Sequence, residues 1–384
     1  VKIVHVIPSL FAGGAEILMS NMAIASAKLG HTVLICCLFP PDESWKKQLL
    51  SKELEEHCNV IVLNESIRFR FLRSPILNNK KFIQLISSFK PDIIHSHLYL
   101  SELLVYSHVF KGCRYFSHGH DNIVQLNPIH ISSLFNKSKI TNWWEKRWLL
   151  AQYAKAKPSF IAISKDVEVF FNKVLPRNKF VIHYLPNAIN VERFAHNRTY
   201  ENLVKPFKLI SIANLVPKKN HTYLIDVAAV LASRRISIRV EVLGDGPLMD
   251  DLKLKVKRHG LEDIFFFLGS VGDVSERLKS ANLYVHPAWY EPFGLVLLEA
   301  MASGLPVVCL DGYGNRELMF DGKNGYILPV DTTAELFADK IEYFINNTNS
   351  LKEQGLWAAQ FAKRYDIHVY AQKLCDIYQK SIES

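Results

Sequence analysis

The sequence predicts an α/β protein made of two Rossmann-like domains, and three observations predict it. Short apolar runs alternate with longer stretches of helical period, the scheme is run through twice, and the two passes meet between Pro186 and Pro206. Apolar strands separated by helices imply parallel sheets covered on both faces. At roughly 150 residues per domain, the 384 residues leave room for two. The division expected is 1–185 and 186–366.

In the first half, strand-like runs fall at 2–7, 32–39, 59–64, 92–97, 115–118, 159–164 and 180–184. Helical periodicity fills most of the gaps, at 15–29, 81–89, 102–110 and 143–156. The second half repeats the pattern with strands at 208–213, 239–243, 264–268, 283–286, 307–310 and 326–328. Helices there are expected at 222–233, 249–258, 275–280, 295–302 and 334–345. In open α/β sheets ligands bind beyond the carboxyl ends of the strands, so the chemistry belongs in the loops that follow strands.

Composition removes several classes. Hydrophobic residues are 49% and charged residues 22%, with 17 Gly and 16 Pro, which excludes a disordered, collagenous or coiled-coil chain. No apolar run approaches the roughly 18 to 20 residues of a membrane span. The N-terminal apolar stretch stops at Pro8, too early for a signal peptide. Cys36, Cys37, Cys58, Cys113, Cys309 and Cys375 lie mostly in apolar runs without CxxC spacing. Reduced thiols in a cytoplasmic protein are expected, and the sequon at Asn220 carries no weight. Charge is one-sided: residues 1–183 hold 23 Lys/Arg against 13 Asp/Glu, and residues 184–384 hold 23 against 24. That surplus points to an anionic partner for the first half.

Several strand-end segments have the residue types that chemistry needs. Gly13-Gly14-Ala15-Glu16 opens the first helix, where backbone N–H groups can approach a phosphate. It is neither GxGxxG nor a Walker loop, which argues against a dinucleotide enzyme or an NTPase. Ser117-His118-Gly119-His120-Asp121 ends a strand; His118, His120 and Asp121 suit hydrogen bonding to a polar substrate. Two histidines without an evident third ligand do not make a metal site, so none is expected. Asn214 to Asn220 (NLVPKKN) ends another strand, and Lys218 and Lys219 can neutralise a diphosphate. Leu243 to Pro247 (LGDGP) reads as a turn and helix start.

The most specific segment is Glu291 to Val308, EPFGLVLLEAMASGLPVV: loop, helix, helix stop and strand. Glu291 precedes the helix, Gly294 opens it, and Glu299 sits inside an otherwise apolar turn. A carboxylate there is costly without a partner, and ribose hydroxyls are suitable partners.

This segment resembles the signature of family 4 retaining glycosyltransferases of the GT-B fold, two Rossmann-like domains facing each other across a cleft. GGAE, the His-Asp pair, PNAI at 186–189, VPKKN, LGDGP and DGKNGYILP follow in the family's order. The resemblance implies that Glu299 binds the donor ribose and Glu291 the transferred sugar. Phe293, Gly294 and Leu295 would offer backbone amides, Lys219 would bind the diphosphate with the Gly14 amide opposite, and His120 would sit near sugar and acceptor. Asn187 would shape the interdomain floor. Family members commonly carry Arg where this chain has Asn214, itself a candidate donor-site residue, so one cation on the leaving diphosphate is missing; either Lys218 compensates or leaving-group stabilisation is weaker. A final helix, 367–384, would return to the first domain.

The resemblance further implies retention without a metal ion or cofactor, and the sequence holds no D-x-D clamp. The expected donor is a UDP-sugar, with GDP-mannose as the alternative. The acceptor would be a lipid-linked glycan of bacterial O-antigen or capsule synthesis. Arg68 to Arg73 and Trp143 to Trp148 mix cations with aromatics, which suits a lipid diphosphate or anionic membrane face and peripheral attachment there. Competing readings are a GT-B epimerase, a non-catalytic scaffold and a nucleic-acid binder; no zinc-finger or RNP-like motif supports the last.

Overall fold

A computed structural model describes the chain except residues 47, 66, 69–75, 78, 128–136, 197 and 201–204. It divides into two compact units, Val1–Asn187 with His368–Ser384, and Ala188–Ile367.

The first unit is built on β1 (Lys2–Ile7), β2 (Thr32–Cys37), β3 (Asn59–Val62), a two-residue pair β4 (Ile67–Arg68) and β5 (Ile76–Leu77), β6 (Ile93–His97), β7 (Arg114–Gly119), β8 (Ser159–Ala162) and β9 (Ile182–Tyr184). Seven of these form one sheet in the order β3-β2-β1-β6-β7-β8-β9, all parallel. The second unit contains β10 (Phe207–Ile212), β11 (Ile238–Leu243), β12 (Phe265–Gly269), β13 (Leu283–His286), β14 (Val307–Leu310) and β15 (Gly325–Leu328). They form a parallel sheet ordered β12-β11-β10-β13-β14-β15.

Both sheets are the doubly wound type that apolar runs predict. In β1, Ile3, Val4, Val6 and Ile7 are fully buried, as burial on both faces demands. Around the second sheet, Leu209, Val240, Val242, Leu283 and Val308 pack with Leu224, Leu231, Phe337 and Phe344 from the flanking helices. Each such side chain contributes roughly 1.5–3 kcal/mol of burial. Strand order reverses between β1 and β6 in the first unit and between β10 and β13 in the second. Those two crevices are where each sheet can take a ligand.

Some elements depart from the sequence expectation. The helix expected at 102–110 runs Tyr99–Val105. Leu103, Leu104, Val105 and Tyr106 are all buried, so there is no amphipathic period to mark its bounds, and Ser107 Oγ donates to the Leu104 carbonyl just beyond its end. Helices Leu49–His57, Lys165–Val174 and Thr348–Ala362 are additional, as is the β4–β5 pair, too short to show a period. The Trp143 helix begins earlier, at Lys137. Of the basic aromatic stretch 68–73, residues 69–73 lie outside the described residues. The C-terminal helix Ile367–Glu383 packs Tyr378, fully buried, against the first sheet, its hydroxyl 2.5 Å from His95 Nδ1.

Candidate active site

The loop after β13 carries Glu291, and its backbone is clamped on both sides. Glu291 N–H donates to the Gly312 carbonyl at 2.8 Å, and Gly314 N–H donates to the Glu291 carbonyl at 3.0 Å. A Cβ at Gly314 would stand 1.9 Å from the Pro292 oxygen, so only glycine admits this approach. Asn315 holds the turn from below, accepting from Gly312 N–H and donating to the Leu310 carbonyl.

The Glu291 carboxylate meets two donors at one oxygen: Lys219 Nζ at 2.6 Å and His286 Nε2 at 3.0 Å. Burial alone would raise its pKa, but the Lys219 charge and the His286 hydrogen bond outweigh burial and hold it well below the usual carboxylate range. Lys219 follows β10 in a short 3-10 turn, Pro217–Lys219, which ends at Asn220 in the left-handed region (φ 54°). Trp289 fastens this turn to the Glu291 loop, donating from its backbone N–H to the Lys218 carbonyl (3.2 Å) and from Nε1 to the Pro217 carbonyl (3.1 Å). Lys218 Nζ lies 5.3 Å from the Tyr290 ring centroid. The cation and the carboxylate are thus fixed in one arrangement by backbone contacts.

Gly294 (φ 99°) turns the chain into the helix Leu295–Ala302, whose first N–H groups have no intrahelical partner. Phe293 and Leu295 are buried on either side of it. Glu299 is buried among Leu297, Leu298, Ala300 and Met301; burial pushes its pKa up to about 7, partly offset by the positive charge of Arg193. A carboxyl poised there is a strong acceptor for neutral hydroxyls once ionised. Asn214 is exposed two residues past the end of β10.

In the first unit, Gly14 opens the helix Gly14–Lys28 behind Gly13, and Glu16 in its first turn is buried, its pKa raised to about 8 by that burial. His118 lies 2% exposed within β7, with its Nδ1 3.3 Å from His95 Nε2. It is thus buried within the sheet, where its strand-end position had made it a candidate for hydrogen bonding to a substrate. His120, just past β7, is only partly buried and bonds to His97. Asp121 accepts from Asn122 N–H. Asn187, last residue of the unit, is buried beside His118.

No third ligand stands at zinc-like spacing from His118 and His120 in the sequence, but the fold brings further histidines to them in space. The fold brings one ring nitrogen each of His97, His118 and His120 within 4.8 Å of one another, and likewise His5, His95 and His97. His97 comes from the neighbouring strand, 23 residues before His120, and His5 from a strand 92 residues before His97, so no short ligand spacing reveals them. His286 and Arg193 were also missed. His286 ends an apolar strand and reads as core, and Arg193 follows the Asn190 cap of a four-residue helix. A cation four residues after PNAI was the available signal.

Buried titratable groups set a pH dependence. Burial lowers His5, His95, His97, His118, His120, His221 and His286 from 6.5, and raises Glu16, Glu102 and Glu299 from 4.5 to about 8, 7 and 7. Between pH 4.5 and 6.5 the unfolded chain binds more protons, on histidine, so stability rises with pH. Above 6.5 the native chain holds more, on the three carboxyls, so stability falls as pH passes through 7 to 8. Thermal unfolding across pH 5 to 9 is expected to give a maximum near pH 7, steeper on the acid side. A flat profile from pH 5 to 7 would contradict these burials.

Two family models match the chain, Glycosyltransferase Family 4 over residues 12–193 and Glycosyl transferases group 1 over residues 193–359. A UDP-N-acetylglucosamine–peptide N-acetylglucosaminyltransferase GtfA subunit of Streptococcus gordonii is 32% identical over 152 residues, 39% of this chain and 30% of that protein. A phosphatidyl-myo-inositol mannosyltransferase of Mycobacterium leprae is 29% identical over 201 residues, 51% of this chain and 52% of that one. The chain spans about a third to a half of the length of the curated relatives it matches. Among solved structures, HepE of Anabaena in complex with UDP and glucose superposes with a TM-score of 0.78 at 20% identity, covering 98% of this chain and 99% of that one.

Proposed function

The chain belongs to glycosyltransferase family 4 and has the GT-B fold, and from that premise we infer that it transfers a sugar from a nucleoside diphosphate sugar to a hydroxyl acceptor, with retention and without a metal ion or cofactor. The observation that carries this is the Lys219–Glu291–His286 assembly set beside the buried Glu299 carboxyl.

Each group has a part that its chemistry suits. Glu299, ionised, accepts from the two ribose hydroxyls. The amides of Phe293, Gly294 and Leu295 and the helix that follows face negative charge. Lys219 stabilises the diphosphate as charge builds on it, with Lys218 beside it in place of a cation at Asn214. Glu291 accepts from hydroxyls of the transferred sugar. The bond from the anomeric carbon to the diphosphate oxygen breaks, a bond to the acceptor oxygen forms on the same face, and the acceptor proton passes to the leaving phosphate. No enzyme carboxylate is consumed.

UDP-sugars are the favoured donors, on the likeness to a UDP-bound structure and to a UDP-N-acetylglucosamine enzyme. GDP-mannose is the alternative, on the likeness to a mannosyltransferase. A lipid-linked glycan of bacterial surface polysaccharide synthesis is the proposed acceptor. Trp143 and Trp144, exposed on the helix Lys137–Ala156 with Arg147 stacked on Trp143, support contact with an anionic membrane face inside the cell. No helix of the described residues is long and apolar enough to cross a membrane.

Proton NMR of UDP-glucose and UDP-N-acetylglucosamine turnover tests this reading. The α-configured sugar is expected as the first product, with EDTA making no difference. A β-configured first product would refute retention, a free epimerised sugar would favour an epimerase, and no turnover of these or of GDP-mannose would favour a scaffold.

A further inference from the structure

Five histidines converge at the carboxyl ends of three adjacent strands. His5 lies on β1, His95 and His97 on β6, His118 on β7 and His120 just past it; His5 is in register with His95, and His97 with His118. All but His120 are sealed from solvent. They form two separate hydrogen-bonded rows. In one, His5 Nδ1 lies 3.0 Å from His97 Nε2, and His97 Nδ1 lies 2.8 Å from His120 Nε2. In the other, Tyr378 Oη lies 2.5 Å from His95 Nδ1, and His95 Nε2 lies 3.3 Å from His118 Nδ1.

We propose that His5 and His97 are positioning residues that hold His120 in a single tautomer, protonated on Nδ1, so that His120 presents a hydrogen-bond donor at its open side. A neutral imidazole has one donor and one acceptor nitrogen. His97 spends both nitrogens inside the row, so it changes tautomer only if both neighbours change with it. The direction is set at the buried end. His5 Nε2 is buried with no partner among the described residues, and an unpaired buried N–H is the rarer fault in a folded chain. The bare lone pair therefore lies there, His5 Nδ1–H donates to His97 Nε2, and His97 Nδ1–H donates to His120 Nε2. The proton of His120 is left on Nδ1. Burial keeps the row neutral, lowering His5 and His120 to about 3 and His97 well below its ordinary value.

A shared metal ion would space the nitrogens differently. Two imidazoles on one tetrahedral zinc, at about 2.0–2.1 Å each, stand roughly 3.3 Å apart. The 2.8 Å between His97 and His120 is the spacing of an N–H donating to a lone pair. The catalytic value of the fixed tautomer rests on the transferase reading above together with the place near sugar and acceptor that the family resemblance implies for His120; the tautomer itself does not.

Long-range proton–nitrogen correlation NMR on the full chain labelled with ring-15N histidine tests it. In the wild type, His120 is expected to show a protonated Nδ1 and a bare Nε2. His97→Phe is expected to shift His120 to the mixture of tautomers of a free imidazole and to lower kcat about a hundredfold, with donor KM unchanged. Tyr378→Phe, in the other row, is expected to leave the His120 tautomer unchanged. If His97→Phe does not fold, His5→Phe cuts the same row one link deeper and should release the tautomer too. A wild-type His120 protonated on Nε2, a tautomer indifferent to both row variants, or histidine signals that change on removal of a tightly held metal would each overturn the proposal. An inactive wild type with Nδ1 protonated would overturn the proposed activity and leave the hydrogen-bonded row standing.

Discussion

Replacing Lys219 with Met is expected to lower kcat by about 10²–10³-fold and to destabilise the second unit. In the proposed mechanism the Lys219 ammonium stabilises the charge that develops on the leaving diphosphate, and loss of one such pre-placed group costs about that much. The same change strands the Glu291 carboxylate, which is buried and keeps only His286 at 3.0 Å. Breaking a buried pair from one side costs about 3–5 kcal/mol; the 15% exposure of the lysine side chain and the remaining histidine place this case at or below the lower end. The two effects separate in the double variant Lys219→Met, Glu291→Gln, which removes the stranded charge. Thermal unfolding should recover most of the lost stability, and initial-rate assays should show kcat still depressed. A double variant that regains turnover would remove Lys219 from leaving-group stabilisation.

Replacing Glu299 with Ala is expected to weaken nucleotide binding about a hundredfold. Hydrogen bonds to a charged group contribute about 1.5–3 kcal/mol each, and two to vicinal hydroxyls, counted without full additivity, give roughly 3 kcal/mol. Because burial holds Glu299 at about 7, part of the free protein carries it protonated near neutral pH. Nucleotide affinity should therefore rise from pH 6 to 8 as the carboxylate form fills, and the variant should lose that dependence together with the affinity. Glu299→Gln, which keeps the shape and loses the charge, should fall on the side of the alanine variant.

How far the sequence could be read depended on whether a feature is local. Strands β1, β13 and β14 were legible to the residue because each is an apolar run bounded by turn residues, and Glu299 stood out as a carboxylate in an apolar helix. Lys219 was legible as a cation just past a strand. What holds these groups in place was not. The Gly312–Gly314 clamp on Glu291 is a through-space approach, and nothing near Gly314 in the chain announces the Pro292 oxygen 1.9 Å from its would-be Cβ. His286 closes an apolar strand and reads as core until the loop returns Glu291 to it. The histidine rows were the largest omission. Their members lie on strands joined only by sheet order, and no zinc-like spacing around His118 and His120 announces them, because β6 inserts between β1 and β7. His120 is visible in the sequence as a residue just past a strand, while its partner His97 and, beyond it, His5 sit inside apolar runs that read as core.

Glu299 is the proposed anchor for a nucleotide in the second unit, and calorimetric titration of UDP, GDP and ADP into the wild type and Glu299→Ala measures that role at first hand. Micromolar binding of one of the three by the wild type, with UDP favoured, is expected, together with its loss in the variant. Binding of none of them by a folded wild type, or equal binding by the variant, would contradict it.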